Sequence, residues 1–328
     1  MISRLSQLAR HLSGPRPALG HTLASSVLGS RSSGLASRIM ASAEERNSRT
    51  IHTAACLIIG DEVLGGKTTD TNSAYMAKWC FSLGINLKRV EVIEDDEVQI
   101  IEAVRRMSDR YDLVVTSGGI GPTHDDITYE SIAKAFGLEL ILHEEAYERM
   151  KKLSTPKKTG PNFSWDVESP AKTARLRMVR LPINNSRDLA KQALFPRSTL
   201  WVPISVVNGN VHILPGVPKL FESMLEGLKP FILDRLIDPE GKGIIRAIIS
   251  TPLPESSVAG YLTELAARVE PKGVKVGSYP RWGKKNNSVT LVGRDAEYIE
   301  SLVPEVIENV RGKRVFVEGE DDEPDGAS

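Results

Sequence analysis

Between residues 51 and 136, unbroken apolar runs alternate with segments in which apolar positions recur every three to four residues. Ala54–Ile59 is a continuous apolar run closed by Gly60, which predicts a strand buried on both faces. Asp70 to Leu83 sets Tyr75, Met76, Trp79, Cys80 and Leu83 on one stripe with Gly84 beyond it, which predicts a helix. Strand Leu87–Ile93, helix Asp96–Met107, strand Leu113–Thr116 and helix Asp125–Phe136 follow, the last closed by Gly137. After an irregular stretch come a short strand, Val211–Leu214, and a helix opened by Pro218 that runs to Leu228. This alternation predicts an α/β fold, a mostly parallel sheet with helices on both faces.

Residues 154–203 break the rhythm. They hold six prolines and many bases, and show no long periodic segment. They are expected to form an insertion or lid over one end of the sheet. Residues 243–317 have their own order: strand Ile244–Ile249, helix Ser256–Val269, strands Val274–Ser278 and Ser288–Val292, helix Glu297–Val310 and strand Val315–Val317. That β-α-β-β-α-β series predicts a second, small α+β domain. The chain therefore divides into 51–237 with the 154–203 insertion, and 243–317.

Composition narrows the function classes. The 328 residues carry 42 basic and 42 acidic side chains, 41% hydrophobic and 5% aromatic residues. No stretch approaches the roughly 20 apolar residues that span a bilayer. Balanced charge argues against a broad nucleic-acid surface, which needs a clustered basic excess. Two cysteines, Cys56 and Cys80, both in apolar settings, exclude a disulfide scaffold and read as inert core thiols.

The ends differ from the middle. Residues 1–43 contain five arginines, no lysine and no acid, are rich in serine, and open with an amphipathic pattern at Ile2, Leu5, Leu8 and Leu12. That is the pattern of a mitochondrial transit peptide. Initiation at Met40 would instead give a cytosolic form. Taking those five arginines from the 42 bases leaves 37 against 42 acids, a net charge of −5. Residues 318–328 hold six acids and no base, and are expected to be a solvated tail.

Three segments fall at carboxyl ends of predicted strands, where α/β sheets bind ligands. They are Gly60 to Lys67 with Thr68–Asn72 behind it, Gly118 to Asp126, and Leu214-Pro215-Gly216-Val217-Pro218. Each joins glycines to a following helix start, a combination suited to phosphate. A P-loop is excluded because Asp61 stands where its first glycine is needed. The dinucleotide fingerprint fails because His124 replaces its third glycine. Gly118, Gly119 and Gly121 let a backbone approach a ligand. Of Asp125 and Asp126, one is expected to cap the helix and the other to face the cleft. A carboxylate beside phosphate calls for a divalent cation, and Asp70 could supply a second ligand with Asp126. Thr71 and Asn72 either cap or bind substrate, and His124 is read as a bystander.

The stretches Gly60–Lys67, Asp70-Thr71-Asn72 and Gly118–Asp126 resemble the molybdopterin-binding domain superfamily that includes the MogA and CinA proteins. Thr-His-Asp-Asp at 123–126, Leu-Pro-Gly-Val-Pro at 214–218 and Gly-Ser-Tyr-Pro-Arg-Trp-Gly at 277–283 resemble the branch of eukaryotic FAD synthase N-terminal domains and stand-alone fungal FAD pyrophosphatases. The resemblance implies aspartates at 70 and 126 in the nucleotide or pterin site, and a glycine loop holding phosphate. It also implies hydrolysis of FAD to FMN and AMP with a divalent metal such as Co²⁺, and with K⁺. Nothing in the chain corresponds to the sulfate-reductase-like domain of FAD synthases or to the amidase domain of CinA, so neither reaction is expected.

The leading expectation is a metal-dependent FAD pyrophosphatase. Gly118, Gly119 and Gly121 would cradle the diphosphate, with Thr71, Asn72, Pro215 and Gly216 around it. Asp70 and Asp126 would hold Co²⁺, Mg²⁺ or Mn²⁺, with Asp125 assisting. Lys67, Lys172 or Arg175 would neutralise the leaving phosphate. The alternatives are a molybdopterin-binding or adenylyl-transferring enzyme and a non-catalytic nucleotide-binding module. The expected partner is a small nucleotide, with neither nucleic acid nor membrane. The small domain is read as a dimerisation or substrate-closing module, so a homo-oligomer is a further expectation.

Overall fold

The computed structural model describes residues 42–154, 163–239 and 243–322. Met40, nearly all of the expected targeting segment, part of the insertion and the end of the acidic tail lie outside the described residues. Among those described, no helix is long and apolar enough to cross a membrane.

The first part contains α1 (Ala43–Ser48), β1 (Thr53–Ile59), α2 (Asp61–Leu64), α3 (Asn72–Ser82), β2 (Asn86–Ile93), α4 (Glu97–Arg110), β3 (Leu113–Ser117) and α5 (Thr128–Phe136). It continues through β4 (Glu139–Leu142), α6 (Glu144–Leu153), α7 (Pro170–Arg177), β5 (Arg180–Ile183), β6 (Ala193–Leu194), β7 (Ile204–Val207), β8 (Val211–Leu214) and α8 (Pro218–Ile232). Six strands form one sheet in the order β2-β1-β3-β8-β7-β6. The first four are parallel, and β7 and β6 add antiparallel at one edge. All but the first residue of β1 are buried, with α3 and α4 both packed against the strand. A both-face apolar run requires such double cover.

Ordered structure begins earlier than Ile51. Ser42 and Glu45 form a reciprocal capping box, and the buried Arg46 donates to the carbonyl of Ser108 at 2.5 Å and to Asp109 at 2.9 Å. Ser42 and Ala43 therefore belong to the fold, not to the leader assigned to residues 1–43.

The 154–203 stretch is less irregular than its sequence predicts. β4 and β5 pair antiparallel, and β6 joins the main sheet. α6 and α7 surround a small core of Ala146, Met150 and Val179. These strands of two to four residues are too short to print a period, and Pro182 sits in a two-stranded ribbon that tolerates it.

The second part follows the expected order: β9 (Ile245–Thr251), α9 (Glu255–Val269), β10 (Lys275–Tyr279), β11 (Asn287–Gly293), α10 (Ala296–Asn309) and β12 (Lys313–Val315). Its antiparallel sheet runs β10-β11-β9-β12 over a separate core. The tail departs from expectation. Asp321 accepts from Ser250 Oγ at 2.6 Å and Asn286 Nδ2 at 2.8 Å, and Asp322 pairs with Arg281. Asp321 and Asp322 are docked because these charge-assisted hydrogen bonds replace their contacts with water.

Cys56 and Cys80 are buried, and burial pushes both thiols upward, Cys80 to about 12, as inert core thiols require. His212 in β8 is also buried. Burial, helped by the charge of Arg235, lowers its pKa from an ordinary 6.5 to about 3. The unfolded chain therefore takes up this proton near pH 6.5, and the folded chain only near pH 3. His212 thus removes stability as pH falls through that interval, each unit of difference being worth about 1.4 kcal/mol. Chemical denaturation at a series of pH values should show His212→Gln losing less stability than the wild type between pH 6.5 and 4. Parallel curves would exclude His212 as the titrating group.

Candidate functional site

Turns leaving the carboxyl ends of β1, β3 and β8 meet at Gly118. This residue holds φ +111°, and a Cβ on it would lie 2.0 Å from the carbonyl oxygen of Ile59. Its amide donates to the carbonyl of Leu214 at 3.2 Å, and a Cβ on Gly216 would approach its Cα to 3.2 Å. Backbone packs on backbone here, which only glycine permits. The chain crosses from β1 to β2 on one side and enters β3 on the other. The site thus sits at the switch point between neighbouring β1 and β3.

Asn72 opens α3 and ties the turns together. Its Nδ2 donates to Ser117 Oγ at 2.9 Å and to the carbonyl of Gly216 at 2.8 Å. The side chain is only 6% exposed, yet its Oδ1 has no partner among the described residues. Such an orphaned acceptor costs about 1–3 kcal/mol. Asn72 lines a cavity of about 40 Å³ with Glu62, Thr68, Asp70, Thr71 and Ser117. That volume suits a water molecule or a small ion. Asp70 also caps α3, its carboxylate accepting the Ser73 amide at 3.0 Å and the Ser73 hydroxyl. Pro215 and Gly216 contribute backbone carbonyls to this clamp, accepting from Ser117 and Asn72. Lys67 lies outside the cavity, exposed on the first turn.

Asp126, expected as a metal ligand, hydrogen-bonds within the glycine loop. Its Oδ1 accepts the amide of Gly121 at 2.7 Å, and its Oδ2 accepts the amide and hydroxyl of Thr123 at 2.9 and 2.5 Å. Both oxygens take part in holding the glycine loop. A Cβ on Gly121 would meet Oδ2 at 2.5 Å, so a side chain there would displace the Asp126 carboxylate. Nor does either aspartate cap the next helix. α5 starts at Thr128, whose amide and hydroxyl bond to the carbonyls of Gly119 and Gly118. Asp125 and His124 are exposed. Of the four loop amides, Gly118 and Gly121 are thus committed internally, while those of Gly119 and Ile120 meet no acceptor among the described residues. Among those residues no three His, Cys, Asp or Glu side chains gather as a metal site, so Asp70, Asp125 and Asp126 do not form one cluster.

Two residues near the loop escaped the sequence reading. Asp95, after β2, accepts the amide of Asp61 at 3.1 Å, and its Oδ1 would lie 3.2 Å from a Cβ on Gly119. Burial raises its pKa and the Asp61 amide opposes this, with the charges of Asp61, Glu62 and Asp125 adding to the rise. The acidic run Glu94-Asp95-Asp96 at the end of a parallel strand was the available signal. Arg177 of α7 donates to the carbonyls of Thr123 at 2.7 Å and Asp126 at 3.1 Å, and pairs with Glu130. The insertion thus braces the glycine loop through Arg177. The two expected bases turn elsewhere: Lys172 pairs with Glu168, and Arg175 stacks over Phe163.

Comparison with known proteins follows the same division. Residues 55–234 match the family described as the probable molybdopterin binding domain, and residues 244–318 match the FAD synthase middle domain. A probable FAD synthase of Caenorhabditis elegans is 33% identical over 80% of this chain and 51% of its own length. The chain thus spans about half the length of that relative. A protein of Archaeoglobus fulgidus is 31% identical over 78% of this chain and 97% of its own. The crystal structure of CinA from Thermoplasma acidophilum aligns with TM-score 0.45 and 32% identity over 56% of this chain and 98% of that one. From the six-stranded sheet with its converging turns and from the match across residues 55–234, the chain belongs to the molybdopterin-binding domain family, followed by a segment of the FAD synthase middle-domain type.

Proposed function

We propose that the chain is a cation-dependent nucleotide pyrophosphatase that hydrolyses FAD to FMN and AMP. The observation that carries this reading is the orphaned Oδ1 of Asn72, a buried residue that lines an ion-sized cavity with Asp70 and Glu62 at the switch point. The similarity to relatives such as the Caenorhabditis elegans probable FAD synthase directs it to a flavin nucleotide. Two carboxylates and an amide oxygen are hard donors that fit Co²⁺, Mg²⁺ or Mn²⁺, with K⁺ as a second ion to be tested. Once bound, a divalent cation offsets phosphate charge and favours hydroxide over water near neutral pH.

The chain's own residues supply the rest. The amides of Gly119 and Ile120 would donate to phosphate oxygens, strengthening as negative charge gathers on the leaving phosphate. Asp126 keeps those amides in place by fixing the loop, and Arg177 braces it from outside. Water oxygen bonds to one phosphorus, and that phosphorus separates from the bridging oxygen. The products together carry the added elements of one water. The Arg-rich leader pattern supports a mitochondrial site of action.

Chromatography of FAD incubated with the protein and Co²⁺, Mn²⁺ or Mg²⁺ should show equal amounts of FMN and AMP, and none with EDTA. Asp70→Asn keeps the helix cap but removes the charge, and should lower kcat at least about tenfold. FAD left intact with every cation, or FAD formed from FMN and ATP, would overturn the hydrolase reading. Asp126→Ala should act first on stability, lowering it by about 2 kcal/mol through loss of the loop's charged acceptor. A variant with an unchanged melting curve and no turnover would restore Asp126 to a direct role. Residues 1–43 fused to a fluorescent protein should carry it to mitochondria; a diffuse signal would refute that localisation.

A further inference from the structure

A cleft lies away from the converging turns. It has a volume of about 810 Å³ and runs between the end of α3, the amino-terminal end of β2 and the small-domain sheet. The switch-point site lies at the carboxyl ends of the strands, so the two are separate. Both domains meet across the cleft: Arg294 donates to the carbonyl of Gly84, and the guanidinium of Arg246 stacks on Phe81 at 4.6 Å.

Charge is concentrated here. Lys88, Arg246, Lys272, Lys275 and Arg294 line the cleft, with Asp295 as the one lining carboxylate. Asp295 is occupied as the cap of α10, accepting the amide of Tyr298 at 2.9 Å. None of the five cations forms an ion pair with a carboxylate among the described residues. Sequence alone shows no basic face on the small domain. Folding makes one by bringing four of its cations beside Lys88, in a chain whose formal charge is zero.

The geometry around these charges is partly preset. Arg246 and Arg294 are held as described, and the Lys272 ammonium lies 4.6 Å from the Tyr298 ring centre. Holding cations in place lowers the entropy lost on binding. Tyr279, from the Gly-Ser-Tyr-Pro-Arg-Trp-Gly stretch, is 54% exposed at the cleft wall, with its ring folded over Gly277. A Cβ on Gly277 would lie 2.9 Å from that ring, so the glycine permits its position. Thr290 and Asn86 add polar groups. The volume lies in the range of small-molecule sites, and the lining offers phosphate neutralisation beside an aromatic face.

We infer that this interdomain cleft is a second binding site, for a phosphate-bearing small molecule with a flat aromatic group, a nucleotide. It stands independently of the proposed hydrolysis. Equilibrium dialysis at low salt in EDTA, with ADP, inorganic phosphate and adenosine as probes, tests it on the full chain. Lys88→Glu with Lys275→Glu, both at exposed positions, should weaken ADP binding at least about tenfold while leaving the melting curve near that of the wild type. Tyr279→Ala should weaken ADP and leave phosphate unchanged. ADP affinity equal in wild type and double variant would overturn the site. Phosphate binding as tight as ADP, with no effect of Tyr279→Ala, would overturn the aromatic component. Loss of a dimer in the double variant without loss of ADP binding would make the cleft a protein interface instead. FMN release is measured separately, so a failed hydrolase assay leaves this outcome readable.

Discussion

The candidate site depends on the close approach of three backbone turns at Gly118. No side chain can enter between Ile59, Gly118 and Gly216, so the carboxyl ends of β1, β3 and β8 are held at near-contact distance. The buried amide of Asn72 completes the arrangement by spending both hydrogen-bonding directions of its nitrogen on Ser117 and Gly216. Its oxygen is left over as a consequence of that geometry. A buried acceptor without a partner, lining a cavity of about 40 Å³, points to an occupant more directly than an exposed carboxylate does.

The acidic residues divide by what already binds them. Asp126 is engaged by the amides of Gly121 and Thr123 and serves as the internal anion that shapes the loop. Asp70 serves two ends at once, capping α3 while lining the small cavity. Asp95 sits against the loop at Gly119, where burial works against its charge. A helix start that needs an acceptor and a ligand site that needs a negative group attract the same residue type. Only the partners tell the two apart.

The two ends of the parallel strands are given different work. At the carboxyl ends are tight turns, acidic side chains and two amides with no acceptor among the described residues. At the amino end of β2, the small domain closes a basic cleft against α3. Bases and acids balance over the chain, so this segregation is a product of packing.

Apolar periodicity is a local property, and it foretold most of the architecture. The runs of β1 and β3, the stripe of α3, and the whole strand-helix order of the small domain could be read residue by residue, because burial of one face repeats every two or 3.6 positions. The glycine turns were equally legible, since few other residues allow them. β4, β5, β6 and β7 were not, being too short to repeat. The fate of each polar group was hidden for a different reason. Whether Asp126 meets a loop amide or a cation, whether Arg177 rather than Arg175 reaches the loop, and whether Asp321 is solvated or docked all turn on partners between 3 and 71 positions away. Those pairings are made when the chain folds and carry no local period, so the one-dimensional pattern names the candidates while the folded packing chooses among them.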